Sequence, residues 1–469
     1  MPSRTVTLTG WGRIAPSTAE LAEPASDADA SRLLRAAASA GGSGAGGAGA
    51  GGAGAGGGGV IPRGLGRSYN NAAQSAGGLV LSTARLNQII SLDAASGVAV
   101  CEAGVSLEQL IAAGLPHGWF VPVSPGTRQV TIGGAIAADV HGKNHHGAGS
   151  FACHVREFTL LPPSGEPETV TPGGDPELFW ATAGGMGLTG LITRAVVQLK
   201  KVQTSLVKVD TVRTADLDET MSTLAEHDAR YGYTVAWSDS LARGRDLGRS
   251  VITSGDFATR GDLPASARDR PLDFDPRARL GAPGVFPPGL LNRHSIGLAN
   301  KIWYRKAPKL REGEIQTIGQ FFHPLDGIRN WNRVYGPGGF RQYQYVLPFG
   351  AEEAVRRSFE MISALPAPSF VTVLKRFGDA DPGFLSFPRP GWTLALDFPA
   401  RTPALLPLLD RLDRLVMEHG GRVYLAKDSH VARGAFEAMY PRVTEFREIR
   451  AKIDPGRVLA SDLSRRLGL

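Results

Sequence analysis

Residues 122–150 read PVSPGTRQVTIGGAIAADVHGKNHHGAGS, and the rest of the chain is best understood from this stretch. Its glycines surround a short apolar centre at residues 132–138. Glycine lets the backbone adopt φ > 0 or come close to a flat or charged group. The stretch ends in a cluster of protonatable side chains: His141, Lys143, His145 and His146. The pattern predicts a backbone wrapped against a bound cofactor, with the chemistry just beyond it; the alternative is a glycine-rich surface loop with chance histidines.

Composition places the chain among soluble globular proteins. Its 469 residues suffice for two or three domains with full cores. We expect neither a membrane span nor a signal peptide, because there is no long apolar run and residues 1–16 lack an apolar core segment. We therefore expect a cytoplasmic location or a membrane-associated one at the cell envelope, with the periplasmic side of the membrane left open. Cys101 and Cys153 suit neither a disulfide framework nor a metal site, so no metal is predicted.

The net charge of +7 favours an anionic partner. Arginines and lysines are scattered and not run together, so a phosphorylated substrate or a membrane surface is favoured over nucleic acid.

The first 200 residues predict short strands, few helices and repeated glycine turns, which is an α+β pattern and not a regular βαβ array. Residues 60–74, VIPRGLGRSYNNAAQ, predict a strand followed by a turn whose N–H groups form an anion-binding nest. Ser106 and Gln109 have the spacing of a helix-opening capping box. Residues 41–59 are almost pure Gly and Ala, and we expect a disordered insertion there.

From about residue 205 to residue 419 the pattern changes to alternating, aromatic-rich strands, predicted in HDARYGYTVAWSDSL, SIGLANKIWYRKAP and FRQYQYVLP. Alternation predicts three shared faces: Gln342, Gln344 and Val346; Thr393, Ala395 and Asp397; Val371, Val373 and Lys375. These faces suit one wall of a substrate cavity, or alternatively face solvent. Residues 254–288 are predicted to form a long, mobile loop, and residues 402–419 an amphipathic helix.

Several short segments of this sequence, taken together, resemble those of a known family. They are RGLGRSYNNAAQ, SPGTRQVTIGGAIAADVHGKNHHGAGSF, ELFWATAGGMGLTG, FFHPLD, QYQYVLP and RVYLAKDS. The chain resembles the FAD-binding oxidases of the vanillyl-alcohol-oxidase type. Within them it is most similar to the oxidases of polyprenylphosphoryl ribose, the flavin half of an epimerase in cell-wall arabinan synthesis.

The resemblance implies a two-domain, α+β, FAD-linked oxidase fold. A PCMH-type FAD-binding domain would comprise residues 1–204 and 421–469, and a substrate-binding domain with an antiparallel sheet residues 205–420. The implied FAD-binding residues are Pro62, Arg63, Gly64, Leu65, Gly66, Arg67, Ser68, Tyr69, Asn70, Asn71, Ala72, Gly126, Thr131, Ile132, Gly133, Gly134, Ala138, Asp139, Val140, His141, Ile192 and Tyr424.

The implied activity is FAD-dependent oxidation of the 2'-hydroxyl of decaprenylphosphoryl-β-D-ribose to a 2'-keto intermediate. An NAD(P)H-dependent keto-reductase would complete the epimerisation, and contact with a membrane is implied. Lys427 is expected to stabilise developing negative charge and His141 to accept or relay the hydroxyl proton. The implied substrate residues are Tyr69, Lys143, Gln344, Lys375, Thr393 and Ala395.

Three positions depart from the family pattern. Arg67 stands where covalently flavinylated relatives carry a tethering histidine, and residues 124–134 contain no cysteine, so FAD should be bound non-covalently. Ala395 stands where close relatives often carry cysteine, and Thr393 where they usually carry asparagine.

Two other functions remain open. One is an oxidase of free alditols or aldonolactones on the same fold, and the other is a flavin-fold protein that binds a lipid-linked sugar without turnover. The presence of both His141 and Lys427 argues against the second. A lipid substrate also predicts a cationic mouth, which we expect residues 268–279 to form.

Overall fold

The computed structural model describes residues 3–42, 58–277, 280–282, 289 and 291–469. The chain begins with a four-stranded sheet of spatial order β1-β2-β4-β3. Its strands are β1 (Arg4–Leu8), β2 (Ser17–Ala22), β3 (Val60–Arg63) and β4 (Leu79–Ser82). Most of the predicted 41–59 insertion lies outside the described residues. At its edges, residues 41–42 belong to the first helix, and Gly59 leads directly into β3.

A second sheet, of order β5-β6-β10-β8-β9, follows, and β7 and β11 form a separate antiparallel pair. The strands are β5 (Ile89–Leu92), β6 (Val98–Glu102), β7 (Trp119–Phe120), β8 (Val155–Leu161), β9 (Glu168–Val170), β10 (Leu191–Gln198) and β11 (Lys200–Lys201). Buried side chains of this sheet and of the segment at residues 132–140 belong to one apolar core.

An eight-stranded sheet of order β16-β12-β14-β13-β19-β20-β18-β21 dominates the rest of the chain. Its strands are β12 (Leu206–Thr214), β13 (Tyr233–Ser238), β14 (Ser250–Phe257), β16 (Leu310–Thr317), β18 (Phe340–Leu347), β19 (Thr372–Phe377), β20 (Gly391–Pro399) and β21 (Arg422–Val423). Two further short strands, β15 (Leu280–Gly281) and β17 (Ile328–Arg329), form a separate parallel pair. Residues 422–423, which the predicted boundary puts in the FAD-binding domain, are thus an edge strand of this sheet. The domain boundaries stay a prediction.

Helices pack against these sheets, and the mixture confirms the predicted α+β class. They are α1 (Asp27–Gly42), α2 (Leu107–Gly114), α3 (Ile132–Ala137), α4 (His145–Ala148), α5 (Pro176–Thr182), α6 (Leu217–Asp228), α7 (Arg293–Lys306), α8 (Ile318–Phe321), α9 (Glu352–Ser363), α10 (Leu405–Glu418), α11 (Arg433–Met439), α12 (Val443–Ile453) and α13 (Asp462–Leu467). None of the helices in the described ranges is long and apolar enough to cross a bilayer.

Local sequence signals explain several boundaries. Ser106 caps α2 by accepting from the Gln109 N–H, and the Gln109 side chain accepts from the Ser106 N–H, so the predicted capping box is confirmed. The predicted amphipathic helix is α10, whose apolar stripe is buried. It begins at Leu405, three residues after the predicted start.

Two predictions about the middle of the chain are wrong. SIGLANKIWYRK forms helix α7 and not a strand, with Asn292 as its N-cap and Ile296 and Asn300 on its buried face. Its largest apolar side chains are exposed, so the pattern lacks the usual amphipathic signature. The predicted loop at residues 254–288 begins inside β14, where residues 254–257 pair with β12. Residues 278–279 and 283–288 of that loop lie outside the described part of the chain.

The C-terminal segment returns to the first sheet. The Val60 N–H donates to the Val458 carbonyl at 2.7 Å, and the Ala460 N–H donates to the Val60 carbonyl at 2.9 Å. These bonds place residues 458–460 beside β3, directly before the glycine turn.

Candidate active site

A cavity of about 1130 Å³ is lined both by the glycine-rich segments of the first 204 residues and by one face of the eight-stranded sheet. This volume exceeds that of a typical small-ligand pocket, about 300–1,000 Å³. It can therefore hold a large cofactor together with a substrate.

The glycine turn after β3 forms one wall because side chains would not fit there. Gly66 has φ +64°, and a Cβ on Gly64 would lie 2.3 Å from Thr131 Oγ1. Arg67 stacks on Trp11, with its guanidinium carbon 3.8 Å from the ring centroid, and donates to the Gln129 carbonyl at 2.9 Å. Arg67 is therefore engaged with the protein at the position where some relatives tether flavin.

The short helix α3 forms the adjoining wall. Thr131 caps it by accepting from the Gly134 N–H at 3.1 Å, and a Cβ on Gly133 would lie 2.9 Å from Ala103 Cβ. Gly126 is different, since a Cβ there meets no atom within 4 Å. Gly126 thus faces open space in the cavity, and its lack of a side chain leaves room for a ligand.

Most of the predicted cofactor residues line the cavity, namely Pro62, Arg63, Gly64, Leu65, Gly66, Arg67, Ser68, Tyr69, Ala72, Gly126, Thr131, Gly133, Gly134, Ala138, Val140, His141, Ile192 and Tyr424. Four predicted residues do not: Asn70, Asn71, Ile132 and Asp139.

Three of these four have structural partners that explain their position. The Asn70 amide donates to the Leu425 and Asp428 carbonyls, and these bonds connect the glycine turn after β3 to the segment that follows β21. Ile132 is fully buried in the core. Asp139 accepts from the Ser386 hydroxyl at 2.6 Å, and its burial raises its pKa well above the usual range.

The strands β18, β19 and β20 bring the predicted substrate residues together. In register, Gln344 lies opposite Ala395, and Thr393 lies opposite Lys375. The predicted Gln344, Ala395 and Lys375, together with Tyr69, Lys143 and Lys427, line the cavity. Thr393 lies behind them and accepts from the Gln344 amide at 2.8 Å.

His141 lies at the centre of this group and is 7% exposed. Its Nδ1 is 3.3 Å from Lys375 Nζ, and its Nε2 is 3.2 Å from the Gln344 amide nitrogen. Burial and then the charges of Lys375 and Lys427 hold the His141 pKa well below its usual value. The ring is therefore neutral near pH 7.

Lysines surround this histidine. Burial lowers the pKa of Lys143 and of Lys375 to about 7 each. Lys143 also lies 4.2 Å from the Phe321 ring centroid and donates to the Phe321 carbonyl. A group of partly buried lysines that line one cavity favours the binding of an anion.

Lys427 follows the edge strand β21. The strand ends at Val423, and the Lys427 N–H donates to the Tyr424 carbonyl at 3.0 Å. Because the strand ends before Tyr424, the side chains of Tyr424 and Lys427 both reach the cavity. Burial lowers the Lys427 pKa, and the Asp397 carboxylate opposes that shift.

Asp397 was placed on a shared face by its sequence pattern but received no role. It is 1% exposed, accepts from the Gln342 amide, and has its pKa raised by burial. Asp397 and Gln342 both line the cavity. They lie opposite each other on strands β18 and β20, a pairing that the sequence alone does not reveal.

A second group of side chains, which the sequence analysis did not identify, joins residues 124–128 to the segment FFHPLD at residues 321–326. The Ser124 hydroxyl lies 2.7 Å from His323 Nε2, and Thr127 donates to Asp326 at 2.7 Å. Arg128, which is 4% exposed, lies 3.8 Å from Asp326. These contacts hold residues 124–128 against the chain that follows β16.

The predicted cationic mouth is only partly present. Arg277 lines the cavity but pairs with Asp275 at 2.8 Å, and Arg270 lies 3.8 Å from Asp273. Within the described residues of 268–279, the cations are therefore largely balanced by their neighbours.

Comparison with known proteins supplies the remaining information. A family model described as "FAD binding domain" matches residues 19–171, and one described as "D-arabinono-1,4-lactone oxidase" matches residues 397–467. The chain is similar to decaprenylphosphoryl-beta-D-ribose oxidase of Mycolicibacterium smegmatis, at 44% identity over 470 residues, covering 100% of this chain and 98% of the relative. It is also similar to an uncharacterized protein of Streptomyces coelicolor, at 42% identity over 375 residues, 78% of this chain and 100% of that protein. L-gulonolactone oxidase 3 of Arabidopsis thaliana is more distant, at 26% identity over 170 residues, 34% of this chain and 28% of the relative.

Proposed function

Because the chain belongs to the decaprenylphosphoryl-β-D-ribose oxidase family of FAD-dependent oxidoreductases, we propose that it oxidises the 2'-hydroxyl of decaprenylphosphoryl-β-D-ribose to the 2'-ketone. The observation that carries the proposal is the convergence of Lys143, Lys375 and Lys427 with a neutral His141 in one cavity. Three partly buried lysines in one cavity suit a substrate that carries a phosphodiester next to its reacting sugar.

FAD fits the glycine-lined half of the cavity. Gly126 faces open space, and Gly64, Gly66, Gly133 and Gly134 present backbone where side chains would clash or intrude. Bound FAD would supply a two-electron acceptor for the alcohol. The residues that would hold it are the lining residues of segments 62–72 and 126–141, with Ile192 and Tyr424.

Side chains of the protein would have separate roles in the reaction. Lys427 supplies a buried positive charge that stabilises negative charge developing during oxidation. His141 is neutral and can accept the hydroxyl proton, although its lowered pKa makes it a weak base. Asp397 is the carboxylate beside Lys427 and offers a second acceptor at the same site. Lys143 and Lys375 would bind the phosphate as point charges.

We further propose the surroundings that this reaction needs. A ketone product must be reduced again to complete an epimerisation, which requires an NAD(P)H-dependent reductase as partner. A polyprenyl substrate is held in a bilayer, so the enzyme would work at a membrane surface of the cell envelope. The end product would serve cell-wall arabinan synthesis.

A panel of substrates tests the proposal. The holoenzyme, made anaerobic, is mixed with farnesylphosphoryl ribose, ribose 5-phosphate, free alditols and aldonolactones while the flavin absorbance is followed. We expect bleaching by the lipid-linked sugar and little by the others.

The competing function, an aldonolactone oxidase, is supported by the match of residues 397–467. Bleaching by lactones or alditols without bleaching by the lipid-linked sugar would favour it.

A further inference from the structure

Helix α7 shows large apolar side chains to solvent. Leu298, Ile302 and Trp303 are 62%, 57% and 58% exposed. Leu298 and Ile302 are one helical turn apart and so lie side by side. The opposite face anchors the helix, because Ile296 is buried and the Asn300 amide donates to Asp239 at 2.7 Å. The exposed side chains are therefore a surface feature of a fixed helix.

Positive charge surrounds these apolar residues. The segment at residues 291–311 contains six Arg or Lys residues and no Asp or Glu. At about 100° per residue, exposed Lys301 and Arg305 lie on one side of the Leu298–Ile302 ridge, and exposed Lys306 lies on the other. A helix with an apolar ridge, a tryptophan and flanking cations is typical of one that lies in a membrane interface. Protein interfaces, in contrast, are depleted of lysine.

The anchored side of α7, next to this exposed face, borders the cavity. Ala299, Asn300 and Trp303 line the cavity mouth, and the Trp303 ring meets Trp237 edge-on at 6.2 Å between centroids. Val235 and Val251 continue the apolar lining inward. An apolar chain entering beside α7 would thus stay in contact with apolar groups from the outside to the site.

We propose that the exposed face of α7, formed by Leu298, Lys301, Ile302, Arg305 and Lys306, docks on a lipid bilayer with anionic headgroups. Docking there places the cavity mouth at the membrane, where a polyprenyl substrate resides. The inference deepens the proposed function and rests on it for the identity of the lipid. The surface itself can be tested separately from turnover.

The test is co-flotation of the full-length holoenzyme with vesicles of phosphatidylcholine alone or with phosphatidylglycerol. We expect the wild type to float with the anionic vesicles and to be released by salt. Leu298→Ser/Ile302→Ser and Lys301→Glu/Lys306→Glu should each weaken vesicle binding by about tenfold or more, since apolar burial and each cation contribute to binding. Control variants make the same changes at other exposed positions: Ile90→Ser/Leu406→Ser and Arg411→Glu/Arg414→Glu should bind like the wild type.

Flavin content and melting temperature show that each variant is folded. Turnover of farnesylphosphoryl ribose in detergent should be unchanged in the α7 variants, because none of the altered side chains lines the cavity. If the wild type does not float, or if the α7 variants float as well as the controls, the docking surface is refuted. Loss of binding to a reductase partner, with vesicle binding intact, would also refute it and indicate a protein interface. If vesicle binding behaves as expected but the lipid-linked sugar is not oxidised, the proposed function fails and the docking surface stands.

Discussion

Replacing Lys427 by methionine removes a cation from a partly buried position in the cavity wall. Its Nζ lies 5.6 Å from the ring centroid of Tyr69 and 5.9 Å from that of Tyr424. Loss of one such buried electrostatic group lowers rates by about 100- to 1,000-fold, or about 2.7–4 kcal/mol in the barrier. Because the charge matters most as the transition state forms, the reductive rate should fall far more than substrate affinity.

Stopped-flow reduction of the bound flavin by farnesylphosphoryl ribose, without oxygen, measures this rate directly. Lys427→Met should stay yellow, since glycine-rich backbone and not this lysine lines most of the flavin half. Lys452→Met, the same change on an exposed helix position, is the matched control and should behave as the wild type.

The pH profile provides a second readout for Lys427. Burial lowers the pKa of Lys427. The ammonium group is therefore charged at low pH, and it loses its charge at a lower pH than an ordinary lysine, whose pKa is about 10.4. The wild-type reductive rate should therefore fall on the alkaline side, and Lys427→Met should lack that limb. A variant that reduces its flavin near the wild-type rate would remove Lys427 from the mechanism and leave Asp397 and His141 as the groups to examine.

Four further predictions follow from other parts of the site. Burial lowers the Lys375 pKa to about 7, so substrate affinity should weaken as the pH rises through about 7, and binding titrations with Lys375→Met should show a flatter pH dependence. Gly126→Val should fold, because its side chain enters open space, yet purify with little FAD; a yellow variant with full flavin content would contradict this fit. Because Arg67 occupies the tethering position, acid precipitation should leave flavin in the supernatant, and flavin retained in the pellet would disprove non-covalent binding. Intact-protein mass spectrometry with a thiol-reactive probe should find an activity-linked adduct on Ala395→Cys and none on the wild type, because Cys101 is fully buried and the exposed Cys153 does not line the cavity.

The alternation of polar and apolar residues predicted strand faces correctly where one side of the sheet is buried. Gln344, Ala395 and Lys375 all face the cavity, as their period-two pattern indicated. The same reasoning failed for α7, because the pattern assumes that large apolar side chains are buried. Leu298, Ile302 and Trp303 are not, so the segment reads as an alternating strand when it is in fact a surface helix.

Local chemistry by itself determined the capping box of α2, the glycine turn after β3 and the amphipathic helix α10, because each depends on residues close in the chain. Tertiary structure alone decided which distant groups meet. His141, Lys375 and Lys427 come together only when α3, β19 and the turn after β21 pack around one cavity. Burial there makes His141 neutral and weakens the basicity of the lysines, and burial is a property of the packed molecule that no local pattern contains.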